Sequence, residues 1–249
     1  MYDLEVSPTL GWTYGIYDTR VLHVEQDPII MCFSYQWYGE KKVHNHRIQI
    51  LNGKEIVSEK DVVERLWELF DEADIVVAHN ALRFDNKVAT AAFLRHNLLP
   101  PTPYKTIDTL RVVRSISRFN SNSLDSIGET LGLGRKTTVK HSDLWHDCLN
   151  GDEKAWKKMV AYNNQDVRLL TAIYEKLRPY IKNHPNLGVI LQKRDVCAKC
   201  GSENLQARGR EGRRTGMVQR WSCNDCGGNT YSALPDERLP IEERPNIVN

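Results

Sequence analysis

The sequence predicts an α/β protein in which a mixed β-sheet is flanked by helices and followed by a small, cysteine-bearing C-terminal module. Three observations carry this. Runs rich in β-branched and aromatic residues come first, a helix–strand–helix alternation follows, and four of the six cysteines form two C-x-x-C pairs near the end. A chain of 249 residues with 41% hydrophobic content can build one sizeable core plus a small appendage.

Residues 12–18, 29–38 and 42–51 read as strands, the last two joined by a hairpin turn at Gly39-Glu40. Ser58 through Asp61 resembles a capping box with Asp in place of Glu or Gln. Val62, Val63, Leu66, Leu69 and Phe70 then recur at helical spacing. Ile75-Val76-Val77-Ala78 is a short apolar run after a helix, the pattern of a buried parallel strand. A helix is expected over 85–96, stopped by Asn97 and Pro100-Pro101, then short helices over 110–115 and 124–131. The clearest helix covers 154–177, where Trp156, Met159, Val160, Asn163, Val167, Leu170 and Tyr174 trace one mostly apolar stripe.

Candidate chemistry lies in three distant segments. Asp3 and Glu5, two apart on a strand, point to one face, and two acids there repel unless cations sit between them. Asp85 falls where a buried strand gives way to a helix, near the strand ends at which open sheets place their sites. Tyr162 and Asp166, four apart, share a helix face beside the apolar stripe. Four carboxylates suit a pair of hard divalent cations, which prefer oxygen ligands and can clamp an in-line phosphoryl displacement. The reading is a metal-dependent nuclease.

This set resembles the DEDD, or DnaQ-like, superfamily of 3′–5′ exonucleases, which has a ribonuclease-H-like fold. Asp3 and Glu5 match its D-x-E motif, and Asn80, Phe84 and Asp85 match N-x-x-x-[FY]-D. The histidine form of the third motif is excluded by Ala161, whereas Tyr162 and Asp166 fit the tyrosine form. Residues 124–134 also look like the superfamily's segment before that motif, and the general flavour is similar to phage and prokaryotic exonucleases. The resemblance implies that Asp3, Glu5, Asp85 and Asp166 hold two Mg²⁺ or Mn²⁺ ions and that Tyr162 orients the attacking water. Asn80 and Phe84 shape the terminal-nucleotide pocket. The expected activity is 3′–5′ hydrolysis of DNA, preferably single-stranded, releasing nucleoside 5′-monophosphates. RNA remains open as the substrate, as does a non-catalytic nucleic-acid-binding adaptor, or docking on a polymerase or another replication or repair protein. Family members carry an apolar strand before D-x-E. Here only Met1 and Tyr2 precede Asp3, so either the strand runs forward or the true start lies upstream.

Cys197-x-x-Cys200 and Cys223-x-x-Cys226 have the spacing of a tetrahedral zinc site, each pair followed by a glycine suited to a tight knuckle turn. The module resembles a zinc ribbon with one structural Zn²⁺. Cys32 reads as a small core residue. The net charge of +2 conceals a local basic stretch at 206–220, with Arg208, Arg210, Arg213, Arg214 and Arg220 against Glu211. Its three glycines suggest flexibility, and its expected use is phosphate binding, feeding a single strand toward the catalytic site. Trp221 stacks on a base or packs on the zinc core, with packing favoured. The loop 135–140 reads as a solvated segment that could also grip phosphates. Asp108 reads as a helix cap and His79 as structural; His141 and His146 read as surface or packing residues.

The domain expectation is therefore an exonuclease domain over 1–182, a linker over 183–195, a zinc ribbon over 196–232 and a poorly ordered tail over 233–249. No run of 18 apolar residues exists, so no membrane span is expected, and the N-terminus lacks the pattern of a signal peptide. The expected location is the cytoplasm of a prokaryotic or phage-infected cell.

Overall fold

The computed structural model describes residues 1–15, 17, 20–51, 55–56, 59–135, 141–214 and 216–233. The chain divides into two compact units, Met1–Tyr174 and Glu175–Asn249. The strands of the first unit are β1 (Tyr2–Val6), β2 (Leu10–Trp12), β3 (His23–Gln26), β4 (Ile30–Tyr35), β5 (His44–Arg47), β6 (Ile50–Leu51), β7 (Glu55–Ile56), β8 (Ile75–Ala78) and β9 (Lys105–Asp108). Its helices are α1 (Lys60–Glu72), α2 (Asp85–Arg95), α3 (Thr109–Ile116), α4 (Leu124–Thr130), α5 (His141–Leu149) and the start of α6 (Glu153–Leu177). The second unit adds α7 (Leu187–Ile190), β10 (Leu205–Arg213), β11 (Gly216–Cys223) and β12 (Asn229–Ala233).

The sheet is mixed, as expected. Strand β4 lies between β1 and β5 and is antiparallel to both. Strand β8 lies against β1 and pairs in parallel with β9. All six β4 residues are buried, because α1 covers this region with the five apolar residues read from the sequence: Val62, Val63, Leu66, Leu69 and Phe70. Stripe residues Trp156, Met159, Val167 and Leu170 of α6 are also buried. Burying one such side chain contributes about 1.5–3 kcal/mol, so these faces dominate the stability of the unit.

Several local expectations change. The run expected as a strand over 12–18 stops at Trp12. Gly15 follows in a bend, and β2 instead pairs antiparallel with β3, an element the sequence reading lacked. Ile16 and Asp18 lie outside the described residues. This short hairpin leaves Trp12, Tyr14 and Tyr17 exposed, so apolar character there does not mark a buried strand. The expected cap residue Ser58 lies outside the described residues, and Glu59 holds the N-cap position of α1 without capping it. Its buried carboxylate instead accepts from the Ile30 amide at 3.0 Å, meets the Arg95 guanidinium at 2.9 Å and lies 3.0 Å from the His96 ring. Helix α5 was not read from the sequence. It forms because Leu144 and Cys148, four apart, are buried while His146 stays exposed.

β1 runs forward from Tyr2 and is paired along its whole length, Tyr2 to Tyr35 through Val6 to Ile30. The Met1 amine donates to the Gln36 carbonyl, and the Gln36 amide donates back to Met1. The acidic strand is therefore anchored at its first residue. In the stretch expected as a linker, Asn186 caps α7 and Leu187 is buried, with its amide bonded to the Ala198 carbonyl. The tail over 234–249 and the loop over 136–140 lie outside the described residues.

Glu59, itself buried, ties β4, α1 and α2 together through bonds to the Ile30 amide, the exposed Arg95 guanidinium and the half-buried His96. Glu59→Ala is expected to lower unfolding free energy by about 2–3 kcal/mol in urea denaturation. A change below about 0.5 kcal/mol would show that the three contacts carry no net stability.

Candidate active site and cysteine cluster

The strand period of β1 and the face of α6 bring three acids together from opposite ends of the first unit. One carboxylate oxygen from each of Asp3, Glu5 and Asp166 lies within 4.8 Å of the others. Glu5 and Asp166 are buried and Asp3 is half-buried. The third motif adds a residue that the sequence reading placed only in the apolar stripe. Asn163, fully buried, donates from Nδ2 to Asp3 Oδ2 at 2.7 Å and to the Asp3 carbonyl at 3.3 Å. Asn45 donates to Asn163 Oδ1 at 3.3 Å and to Ser34 Oγ at 2.9 Å, and Ser34 donates to Asn164 Oδ1 at 2.8 Å. This polar chain fixes α6 against β4 and β5 while holding Asp3. Its sequence signal was a pair of asparagines inside an otherwise apolar helix face.

Tyr162 is buried on α6, and its ring meets Trp145 edge-on at 6.1 Å. Trp145 donates to the Val6 carbonyl at 3.0 Å, so α5 ties the Tyr162 ring to the end of β1. The position of Trp145 is a second feature the sequence reading missed.

Asp85 is buried in the first turn of α2 and is not one of the three clustered acids. Its helix start is tied to β1 by the Tyr2 hydroxyl, which donates to Asn86 Oδ1, and to β9 by Asn86 Nδ2, which donates to Thr106 Oγ1 at 3.0 Å. Burial, and then the charges of Asp85, Tyr104 and Asp3, push the Tyr2 phenol well above its ordinary value, so it stays a donor. The loop before Asp85 is held by Asp108. Its carboxylate accepts from the Asn80 and Leu82 amides at 3.0 and 3.2 Å and caps α3 through Leu110 and Arg111. Asn80 takes φ +70°, and Phe84 stands 45% exposed at the head of α2. His79 is structural, spanning Thr109 Oγ1 and the Asn122 carbonyl at 2.9 Å each.

In the second unit, the four cysteine Sγ atoms lie within 4.8 Å of one another. The Cys197–Cys226 and Cys200–Cys223 sulfurs are 3.7 and 3.6 Å apart, too far for disulfides. A tetrahedron of Zn–S bonds of about 2.3 Å has edges of about 3.8 Å, so the donor set fits zinc. Gly201 and Gly227 both take positive φ, and their amides bond back to Cys197 and Cys223. Burial opposes the Cys223 thiolate, yet the Cys226 and Asp225 amides and neighbouring thiols bring it down to about 7. Burial pushes Cys200 and Cys226 up.

The basic stretch over 206–220 is a strand pair rather than a flexible loop: Gly212 pairs with Met217, while Gly209 occupies an irregularity in the register. Arg208, Arg210 and Arg213 lie on β10, and Arg214 lies in the turn. All four are exposed. Trp221 is half-buried and donates from Nε1 to Ser232 Oγ at 2.8 Å.

An antiparallel set β5-β4-β1 with the parallel pair β8 and β9 lying against β1, and acids converging between β1 and α6, defines a ribonuclease-H-like class of protein. Residues 18–178 match the RNase H superfamily model, and the chain belongs to that superfamily. It is also similar to a DNA polymerase III PolC-type from Ureaplasma parvum serovar 3 (strain ATCC 700970), 26% identical over 132 residues. That match covers 53% of this chain and 9% of the relative. No helix among the described residues is long and apolar enough to cross a membrane.

Cys200 and Cys226 must lose protons to bind a metal. Zinc uptake by the metal-free chain at pH 7 is expected to release at least two protons, measured with a pH indicator. Uptake without proton release would contradict a thiolate site.

Proposed function

We propose that the chain carries a 3′–5′ exonuclease domain of the DEDD tyrosine type over residues 1–182, which takes in the whole first unit, acting on single-stranded DNA and releasing nucleoside 5′-monophosphates. The observation that carries this reading is the meeting of Asp3, Glu5 and Asp166 oxygens within 4.8 Å across β1 and α6. Close, largely buried carboxylates repel unless cations neutralise them, and an all-oxygen donor set suits Mg²⁺ or Mn²⁺. Membership of the RNase H superfamily and the similarity to a DNA polymerase support nuclease chemistry on nucleic acid.

In this reading Asp3, Glu5, Asp85 and Asp166 hold two divalent cations. Such ions supply charge neutralisation at the phosphate and acidify a bound water. The chain's own groups do the rest. Asn163 locks Asp3 in one orientation by its 2.7 Å bond, so a carboxylate oxygen stays presented to the site. Tyr162 orients the attacking water through its hydroxyl, accepting or donating without ionising. Phe84, exposed beside Asp85, offers a ring face to the terminal base, and Asn80 shapes the loop that presents it. The second unit is read as a ribbon holding one structural Zn²⁺ over residues 196–232, joined through 183–195, with Arg208, Arg210, Arg213 and Arg214 contacting phosphates. The proposed setting is DNA replication or repair in a prokaryotic or phage-infected cytoplasm.

The test is digestion of 5′-labelled single-stranded DNA, with matched RNA alongside, in Mg²⁺ or Mn²⁺. The expected result is a ladder shortening from the 3′ end, reduced by about 10²–10³-fold or more in Asp166→Asn. A folded Asp166→Asn protein with full activity would overturn the assignment. Ladders on RNA alone would change the substrate to RNA.

Asn163→Ala removes the hydrogen bond that orients Asp3 and no proposed metal ligand. Activity is expected to fall about 10–100-fold, with part of the loss recovered at higher Mn²⁺. Unchanged kinetics at limiting Mn²⁺ would show that Asp3 needs no such support.

A further inference from the structure

We propose that the second unit carries its own nucleotide-phosphate site, formed by Arg208, Arg220, Asn229 and Tyr231. These four side chains line a recess of about 350 Å³ on the three-stranded sheet. The volume lies at the lower end of small-ligand clefts, so the recess suits a single small unit rather than a folded segment. The proposal deepens the exonuclease reading by giving the second unit a defined hold on the same class of molecule.

The strand register explains why these residues converge. Arg220 on β11 pairs with Tyr231 on β12, and Ser222 pairs with Asn229 two residues further along, which sets Arg220, Tyr231 and Asn229 on one face. Arg208 joins them through the irregularity between Ala207 and Arg210 on β10. Gly209, within that irregularity, has φ +78°, and the Arg220 guanidinium lies 3.6 Å from the position a Cβ there would occupy. The bulge thus sets two guanidinium-bearing residues at one recess. Among the described residues no carboxylate oxygen lies within 4.0 Å of a guanidinium nitrogen of Arg208 or Arg220. The Arg213 guanidinium sits 3.9 Å from the centroid of the Tyr231 ring, which steadies a side chain that is still 45% exposed.

The chemistry follows from the lining. Two guanidiniums on one recess repel each other and are relieved by an anion, and their planar forks match phosphate oxygens. Tyr231 offers aromatic surface to a base, and the Asn229 amide can both donate and accept at a base or sugar edge. A nucleotide presents all three features together. The source is either one unit of a single strand or a free nucleoside monophosphate.

The test uses the full chain, zinc-loaded and without Mg²⁺ or Mn²⁺. Binding of a dye-labelled oligothymidylate is followed by fluorescence anisotropy across a salt series, and thymidine monophosphate is titrated separately by calorimetry. Arg208→Gln and Arg220→Gln are each expected to weaken strand binding about tenfold and to flatten the logarithmic salt slope by about one unit. Tyr231→Leu is expected to weaken it by a similar factor without changing the slope. Arg194→Gln, an exposed charge loss elsewhere in the unit, should leave both unchanged. Loss confined to thymidine monophosphate would assign the recess to the free nucleotide and support the site. Unaltered binding of both ligands, or an equal loss in Arg194→Gln, would overturn it. Zinc stoichiometry reports folding, and should Arg220→Gln lose its metal, Arg208→Gln and Arg220→Lys decide. Strand cleavage by the wild type with unaltered variant binding would remove this site and leave the exonuclease reading standing. Recess binding without cleavage would do the reverse.

Discussion

The close approach of Asp3, Glu5 and Asp166 is the constraint around which the first unit is arranged. Two unit charges about 4 Å apart repel by about 4 kcal/mol at the effective dielectric of a protein site. Nothing in the acids themselves favours the meeting; it is imposed by what lies behind them. Trp156 and Met159 of α6 join the apolar core that contains the β1 and β4 side chains, and that packing helps bring Asp166 up to β1. β1 in turn is fully paired with β4, so Asp3 and Glu5 cannot retreat without breaking a ladder. A site whose own charges oppose folding is one that a bound cation stabilises by mass action.

Polar bonds then refine what apolar packing enforces. Asn163 sits at a position where the α6 stripe would otherwise take a hydrophobe, and a buried amide there is tolerable only when its groups are paired. It is paired on both sides, to Asp3 and to Asn45. The same logic governs the other end of the site. Asp108 gathers four backbone amides and thereby fixes the Asn80 loop and the start of α3 with one side chain. Asp85 stands apart from the three clustered acids, in the first turn of α2, where the partial positive charge of a helix N-terminus favours an anion. The four acids are thus not compressed into one point: three share a small volume, and the fourth has a helix end of its own.

What the sequence made legible follows the strength of each local signal. Helical periodicity located α1 and α6 because nearly all the apolar positions in those stripes are buried, Val160 being the half-buried exception. The four-residue spacing of Tyr162 and Asp166 and the two-residue spacing of Asp3 and Glu5 foretold shared faces, since those periods are geometric. Asn163 and Trp145 were not legible as parts of the site. Their roles depend on which residue of β1 lies opposite, a long-range fact that no local spacing encodes. The hairpin of β2 and β3 was misread for the converse reason. Trp12 and Tyr14 carry strand propensity, but here they stay exposed, and propensity does not report burial. Glu59 looked like part of a helix cap, and tertiary partners on β4 and α2 claim it instead.

The two units concentrate like groups by opposite chemistry. Oxygen donors on a strand and a helix suit hard ions, whereas four sulfurs on two knuckles suit a soft-tolerant one, so each cluster discriminates against the other's metal. Their dependence on metal differs as well. The first unit has a continuous apolar core of which its clustered acids are not members. Among its described residues the cysteine unit has a short three-stranded sheet, an exposed basic hairpin and few buried apolar side chains, so a metal on its four thiols would supply cohesion that a core supplies elsewhere. The arginines of β10 and β11 add repulsion that this small sheet must also withstand. Under the proposed reading, a metal ion in the second unit supplies structure, whereas in the first it relieves carboxylate repulsion beside an already formed core.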